Sequence, residues 1–395
     1  MAKLAVLGGK PLRKKPFSSW PIYGKEEEAQ LKDVLRKSSS EIGKRVGKIN
    51  EFEEKFASFH KVKHAVACTN CSHALEIMLK ISGVGEGDEV IVPSYTFIAT
   101  AGAVMRCAAK PVFIDISLKD HLLDIDSIEK IITPRTKAII PVYFGGNIPD
   151  MDKLNRIAKK YNLTVIEDAA QAHGGKWKGS FVGSFGKAAG FSFQYSKNMT
   201  ANEGGIILSN DGEFIEKCWQ YIWHGRKKGG LWYEHFQITS NFRITELQAA
   251  VLIAQLGRLK KQNEIRHRNG MYLDKKISCL RGIYSLVSDP HLEIHPRHLY
   301  ILRFDSESFE GTSKHQIVKA LNAEGIPALA GYGFPLYKNP AFGNLNVYNP
   351  NAERACREHI WLMHNNLLGN KSDLDDIVMA FEKIIENRKA LRNMK

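Results

Sequence analysis

Short apolar segments alternate with amphipathic segments through the first half of this chain. Residues 64–68 and 88–92 have the length and apolar composition of buried strands, and residues 72–80 and 99–107, which follow them, have helical periodicity. A chain that repeats strand and helix in this way builds a mostly parallel sheet with helices on both faces. The pattern therefore predicts an α/β fold with a mostly parallel central sheet.

The second half of the chain begins with a long helical pattern at residues 245–276, followed by a strand pattern at residues 300–304. This helix is expected to leave the large domain and enter a smaller one. We predict a large domain over residues 1–250, which includes an N-terminal arm at residues 1–24. A smaller C-terminal α+β domain is predicted over residues 251–395.

Composition excludes several classes of function. The formal net charge is +14, but the positive residues are dispersed and accompany no nucleic-acid-binding motif, so no nucleic-acid partner is expected. Proline and polar residues interrupt the longest apolar runs, which predicts no membrane span. The apolar stretch at the N-terminus is too short for a signal peptide, so the cytoplasm is the expected location.

Cys68 and Cys71 form a C-x-x-C pair, which leaves a metal or redox role open. No second pair or histidine cluster follows at metal-binding spacing. We therefore predict no metal site and interpret both cysteines as reduced, packed thiols.

Two segments carry the residues from which chemistry is expected. An apolar strand pattern at residues 163–167 is followed by Asp168, and Lys197 lies between two further strand patterns. Pyridoxal 5'-phosphate (PLP) requires an amine that holds its aldehyde and a carboxylate that keeps its ring nitrogen protonated. Functional residues in such sheets lie past the carboxyl ends of strands. The pair therefore indicates PLP, with a surface lysine and a helix-capping aspartate as the competing interpretations.

The chain resembles the DegT/StrS-type sugar aminotransferases, a fold-type I family of PLP-dependent enzymes. The resemblance runs from residues 7–13 and Trp20-Pro21, through the Lys197 segment, to residues 361–364 and 375–378. Within this family, the chain is similar to the branch that includes inosose aminotransferases and 3-amino-5-hydroxybenzoate synthase. The resemblance implies the fold of a fold-type I PLP-dependent transferase.

The resemblance also implies roles for residues that contact the cofactor ring. Lys197 matches the lysine that forms a Schiff base with PLP and then moves the substrate proton. Asp168 matches the partner of the ring nitrogen, and Gln171 lies near the ring's phenolic oxygen. Phe97 matches the aromatic residue that lies on the ring, with Tyr95 as the competing candidate and a core phenylalanine as the alternative.

The phosphate group is expected at the start of the helix that follows residue 68. Cys71, Ser72 and His73 occupy this position, and Ser192 matches a second hydroxyl donor. The family usually has Gly-Thr where this chain has Cys71 and Ser72, so the cysteine is a departure. Asn241 matches a residue that the family lends to the neighbouring subunit, which implies a homodimer with shared active sites; a helix cap is the alternative.

Three residues are candidates for contact with the substrate. Tyr332 and Tyr337 lie in a loop where relatives place a tyrosine and a histidine, and Arg226 could meet a carboxylate or phosphate. A purely structural role is the alternative for each. The resemblance implies a PLP-dependent aminotransferase that moves an amino group from glutamate or glutamine to a keto-sugar or keto-cyclitol.

Two other functions stay open. A PLP-dependent dehydratase or aromatising synthase would keep the cofactor and change the chemistry. A non-catalytic regulator could keep the fold without turnover. Some relatives that dehydrate carry histidine at the lysine position, so Lys197 favours amino transfer.

Overall fold

The structure, a computed structural model, describes residues 2–38, 47–231 and 233–393. The helices are α1 (Lys25–Ser38), α2 (Lys48–His60), α3 (Cys71–Ile81), α4 (Ile98–Arg106), α5 (Met151–Lys160), α6 (Gly212–Ile222), α7 (Glu246–Ile277), α8 (Lys314–Ala323), α9 (Pro350–Glu358), α10 (Lys371–Glu386) and α11 (Arg388–Arg392). The strands are β1 (His64–Cys68), β2 (Glu89–Pro93), β3 (Lys110–Ile114), β4 (Thr136–Ile139), β5 (Thr164–Asp168), β6 (Lys176–Trp177), β7 (Ser180–Phe181), β8 (Ala188–Ser192), β9 (Gly205–Ser209), β10 (Ile283–Ser285), β11 (Leu292–Ile294), β12 (Leu299–Phe304) and β13 (His359–Met363).

Seven strands form the central sheet in the order β1-β9-β8-β5-β4-β2-β3. The neighbours from β8 through β3 are parallel, whereas β9 runs antiparallel to both β1 and β8. This arrangement confirms the predicted α/β fold with a mostly parallel sheet.

The strands alternate their side chains between two hydrophobic layers. In β2, Val90 and Val92 pack into the layer that contains α3, α4 and α6, while Ile91 packs into the layer that contains α2, α5 and the first half of α7. All five residues of β2 are buried. A strand covered on both faces reads as a continuous apolar run, which explains why these strands were visible in the sequence.

A second sheet, in the order β10-β12-β13, belongs to the C-terminal part of the chain. Helix α7 connects the two parts, since Leu252 packs under the central sheet and Leu273 packs in the C-terminal cluster with α8 and α10. Leu4 of the N-terminal arm packs in the same C-terminal cluster. The short strands β11, β6 and β7 form a third sheet.

The division of the chain at residue 250 stays a prediction. Met1 of the predicted arm and residues 394–395 of the predicted C-terminal domain lie outside the described residues. None of the helices in the described ranges combines the length and the apolar character that crossing a membrane requires.

The carboxyl ends of the parallel strands meet at one edge of the central sheet. Asp168 ends β5, Ser192 ends β8 and Cys68 ends β1, while the antiparallel β9 begins at this edge with Gly205. Gly205 pairs with both Cys68 and Ser192, so these strand ends lie in register. Ligands of open α/β sheets bind at this edge.

Candidate active site

Asp168 is a buried carboxylate at the end of β5, with 6% of its surface exposed. The Thr100 hydroxyl donates to Asp168 Oδ2 at 2.7 Å, and the Ala170 amide donates to Oδ1 at 3.3 Å. Burial raises the pKa of Asp168, while the Thr100 hydrogen bond acts in the opposite direction. The sequence reasoning missed Thr100, since only the fold brings residues 68 positions apart together.

Lys197 lies in the segment between β8 and β9 and is half-buried. Burial lowers the pKa of its amine, and the neighbouring groups Asp168 and Cys71 oppose this effect. An amine with a lowered pKa is more often uncharged, which a nucleophilic lysine requires. The fold therefore brings Lys197, Asp168 and Cys71 within electrostatic range of one another.

Helix α3 begins with Cys71 at the same edge. Asn70 caps the helix, because its side chain accepts from the His73 amide at 2.9 Å. A Cβ atom on Gly205 would lie 2.4 Å from the backbone of Asn70, so β9 can start this close to the helix only with glycine. Ser72 is exposed in the first turn. The amides and the hydroxyl of this turn can together bind an anion.

The Cys71 thiol is buried, and burial raises its pKa well above the ordinary value. The cysteine is therefore a neutral thiol rather than a reactive thiolate. Cys68 is also buried and free. Over the ranges that the structure covers, no three His, Cys, Asp or Glu side chains come together as metal ligands.

Ser192 and Gln171 lie on the chain segments next to Asp168, since β8 pairs with β5 and Gln171 follows Asp168 by three residues. Ser192 ends the neighbouring strand, and its carbonyl accepts from the His173 ring at 2.8 Å. Gln171 is buried in the turn after β5, and its Oε1 accepts from the Gly145 amide at 2.7 Å. The amide nitrogen of Gln171 is the group that can donate to a ligand oxygen.

The two candidate aromatic residues differ in exposure. Phe97, at the N-terminus of α4, is 57% exposed, whereas Tyr95 is buried against Phe144 and Trp361. An exposed ring at this edge can lie against a ligand, so the geometry favours Phe97. Tyr332 is half-buried beside Tyr95, with ring centroids 5.2 Å apart. Burial raises the pKa of the Tyr332 hydroxyl, and the nearby Asp168 carboxylate adds to this effect.

The remaining predicted residues lie elsewhere in this chain. Tyr337 is buried beside Phe113, and its hydroxyl donates to Glu353 at 2.9 Å. Arg226 lines a surface pocket of about 740 Å³ between α2 and α6. Asn241 is exposed next to Phe242, whose carbonyl accepts from the Thr69 amide near the start of α3. The roles of all three stay predictions.

A mostly parallel α/β sheet with a buried carboxylate ending one central strand, and a half-buried lysine beyond the adjacent strand, defines the fold-type I class of transferases. The chain belongs to the DegT/DnrJ/EryC1/StrS aminotransferase family, which matches residues 21–382. The predicted fold class and family are thereby confirmed.

Three similar proteins illustrate the range of this family. The chain is 33% identical to the L-glutamine:2-deoxy-scyllo-inosose aminotransferase of Micromonospora echinospora, over 99% of this chain and 100% of the relative. It is 36% identical to the GDP-perosamine synthase of Caulobacter vibrioides, over 85% and 90%. The crystal structure of 3-amino-5-hydroxybenzoic acid synthase superposes with a TM-score of 0.87, at 32% identity, and covers 96% of this chain and 100% of that one.

Proposed function

We propose that this aminotransferase uses PLP bound at Lys197 to move an amino group from glutamate or glutamine to a keto-cyclitol or keto-sugar. The observation that carries the proposal is the half-buried Lys197 amine beside a buried carboxylate at the carboxyl edge of the sheet. The inosose aminotransferase and the perosamine synthase among the relatives support this class of acceptor.

The residues at the edge fit PLP. The Asp168 carboxylate is buried, with one hydroxyl donor at 2.7 Å and one longer amide contact, so it has acceptor capacity for a ring N–H. The first turn of α3 can receive a phosphate through Cys71, Ser72 and His73. When bound, PLP accepts the amino group from the donor and releases it to the acceptor.

Each of these residues has a defined task in the proposal. Lys197 holds the aldehyde and, once free, carries the proton to and from the reacting carbon. Asp168 keeps the ring nitrogen protonated, and Gln171 donates to the phenolic oxygen. Ser72 and Ser192 donate to the phosphate, and Phe97 lies against the ring.

The substrate side rests on fewer contacts. Tyr332 is the best-placed candidate, since it lies within electrostatic range of Asp168. Tyr337 could act through Glu353, and Arg226 could meet an anionic group of a substrate. The similarity to 3-amino-5-hydroxybenzoic acid synthase favours a dehydrating, aromatising reaction as the second candidate function.

We also propose a homodimer that shares its active sites through Asn241. The segment that precedes Asn241 exposes Leu231, Tyr233, Phe236 and Ile238. Several large apolar side chains exposed on one short segment are typical of a surface that another chain covers. Sedimentation at several concentrations tests this, and a monomeric active enzyme would contradict it.

The decisive experiment traps the cofactor. We expect purified protein with PLP to show a visible absorbance band and a borohydride-stable adduct at residue 197. Lys197→Ala should lose both, while Lys187→Ala, at the opposite end of β8 and paired with Asp211, should retain both. Adding glutamine should bleach the band, and keto-cyclitols or nucleotide keto-sugars should restore it. If none of the amino donors bleaches the band, the result would contradict amino transfer.

A further inference from the structure

Side chains from distant parts of the sequence contact the backbone just before Lys197 and the side chain of Asn198 just after it. The Trp20 indole donates to the Tyr195 carbonyl at 3.0 Å, and the His364 ring contacts the Ser196 carbonyl at 3.1 Å. On the other side, the His298 ring contacts the Asn198 amide oxygen at 3.1 Å. We call Trp20, His298 and His364 the lysine clamp.

We propose that His298 and His364 are positioning residues that fix the segment on which Lys197 stands, so that its amine meets the cofactor aldehyde. The proposal rests on the proposed role of Lys197 in holding PLP. Neither histidine was among the residues predicted from the sequence. His298 precedes β12 and His364 follows β13, so both come from the C-terminal part of the chain.

The partners dictate which ring nitrogen carries the proton. A backbone carbonyl only accepts, so His364 must donate to Ser196 through Nε2–H. Asn198 Nδ2 donates to the Pro296 carbonyl at 2.7 Å, which leaves Asn198 Oδ1 facing His298. His298 must therefore donate through Nδ1–H. His364 thus donates through Nε2 and His298 through Nδ1, and both bonds hold the Lys197 segment.

The two histidines of the clamp lie in the protein interior. His298 and His364 are both buried, and their rings stack with centroids 5.8 Å apart. The Trp20 ring packs edge-on against His364 at 4.4 Å. Rings packed in this way have little freedom to turn, so the hydrogen-bonding nitrogens stay aimed at the Lys197 segment.

The surroundings keep both rings uncharged. Burial lowers the pKa of both His298 and His364, and the nearby side chains of Lys197 and Arg266 lower both values further. Arg266 is fully buried on α7, and its guanidinium donates to the neutral amides of Asn263 and Gln262. The two histidines therefore hold the lysine segment without adding a positive charge next to the Lys197 amine.

A lysine that alternates between holding the cofactor and moving a proton needs a fixed starting point. Its flexible four-carbon side chain supplies the motion, and a fixed backbone keeps the amine at a high effective concentration near the aldehyde. Hydrogen bonds on both sides of residue 197 restrict the segment more than a bond on one side would.

Matched substitutions separate positioning from packing. Gln places an amide nitrogen where His carries Nε2, and Asn does so for Nδ1, so His364→Gln and His298→Asn are the conservative variants. His364→Leu and His298→Leu remove the donors. His60→Leu is the control, because His60 is equally buried and its Nδ1 contacts the Val182 carbonyl at 2.7 Å, in a different loop.

Two readouts are compared in these variants. One is the rate at which added PLP becomes borohydride-trapped at residue 197, and the other is amide exchange of residues 195–198 in cofactor-free protein. We expect His364→Leu and His298→Leu to trap PLP about tenfold more slowly, the effect of losing a hydrogen bond at the upper end of the usual range. Exchange at 195–198 should rise by a similar factor. The conservative variants should recover most of both, and His60→Leu should change neither.

The outcomes keep the two proposals distinct. The clamp is supported if the wild-type protein traps PLP at residue 197, the Leu variants trap it more slowly, and the conservative variants recover most of the rate. Normal trapping and normal exchange in both Leu variants would overturn it while leaving the proposed function intact. A wild-type protein that forms no adduct at residue 197 would instead refute the proposed function.

Discussion

Two adjacent acids of β5, Glu167 and Asp168, point to opposite faces of the central sheet and have different surroundings. Both are buried, and burial raises the pKa of both. Around the Glu167 carboxylate, the donors are the amides of Gly183 (2.8 Å), Phe185 (2.9 Å) and Gly186 (2.7 Å) and the hydroxyl of Tyr143 (2.8 Å). Asp168 receives one hydroxyl at 2.7 Å and one amide at 3.3 Å.

The difference shows how the same chemical group can serve structure or function. A carboxylate accepts up to about four hydrogen bonds, and protein donors supply all of them for Glu167. That acid ties a loop to the strand and has no capacity for a ligand. Asp168 keeps free acceptor capacity at the edge where the strands end, so it can bind a group that the chain does not contain.

The largest expected effect follows from removing the charge of Asp168. We expect Asp168→Asn to lower kcat/KM by about 10²- to 10³-fold, since an amide cannot keep a ring nitrogen protonated. Stability should not fall, because the amide oxygen can still accept from Thr100. Steady-state kinetics with saturating PLP measures this. Activity within threefold of wild type would show that Asp168 is only structural.

The matched change at Glu167 should affect stability instead. Glu167→Gln replaces an acceptor oxygen by an amide NH2 group, which would face backbone N–H donors. We therefore expect the free energy of unfolding to fall by about 2–4 kcal/mol. Urea unfolding of the cofactor-free protein measures it. Activity per folded molecule should be retained. A variant that is stable but inactive would reverse the roles assigned to the two acids.

The same strand shows what can be predicted from sequence. The apolar run before Glu167 and Asp168 predicts a buried strand, which the structure confirms. The acid at its end predicts a site at the sheet edge, and that site stays a prediction. The sequence does not reveal which acid has all of its acceptor positions filled. Three of the Glu167 donors come from a loop 16 to 19 residues later, and the fourth, Tyr143, lies 24 residues earlier. Cys71 and Lys197 lie within electrostatic range of each other, because the strand ends that precede them share one edge.

Other features needed tertiary structure. The strand β13 was not predicted, so His364 behind it was not linked to Lys197. Thr100 lies in a helix that was predicted, but its contact with Asp168 depends on how that helix packs. Tyr337 was predicted by position in a loop, and only the fold shows its hydroxyl bonded to Glu353.

A smaller effect should follow from the donor to Asp168. Thr100→Val keeps the shape of the side chain and removes the hydroxyl that lowers the pKa of Asp168. We expect kcat/KM to fall by about tenfold, and the activity of the variant to require higher pH, because Asp168 must be ionised. Thr100→Ser should restore the profile. An unchanged pH profile in Thr100→Val would show that this hydroxyl does not tune Asp168.

The smallest effect concerns stability against pH in the cofactor-free protein. The folded pKa of Asp168 lies above its ordinary value of 3.8, so its contribution to stability is fully present below pH 3.8 and is lost as pH rises through the folded pKa. Asn at this position does not titrate. Asp168→Asn should therefore gain stability relative to wild type between pH 4 and pH 7, by at most about 1.4 kcal/mol for each pH unit between the two pKa values. Glu167→Gln also removes a buried acid with a raised pKa, which by itself would stabilise the protein at pH 7. This variant should nevertheless stay less stable than wild type at pH 7, because the loss of its hydrogen bonds costs more. Urea unfolding at both pH values measures the two differences, and a gain for Glu167→Gln with none for Asp168→Asn would mean that Asp168, not Glu167, is the fully satisfied acid.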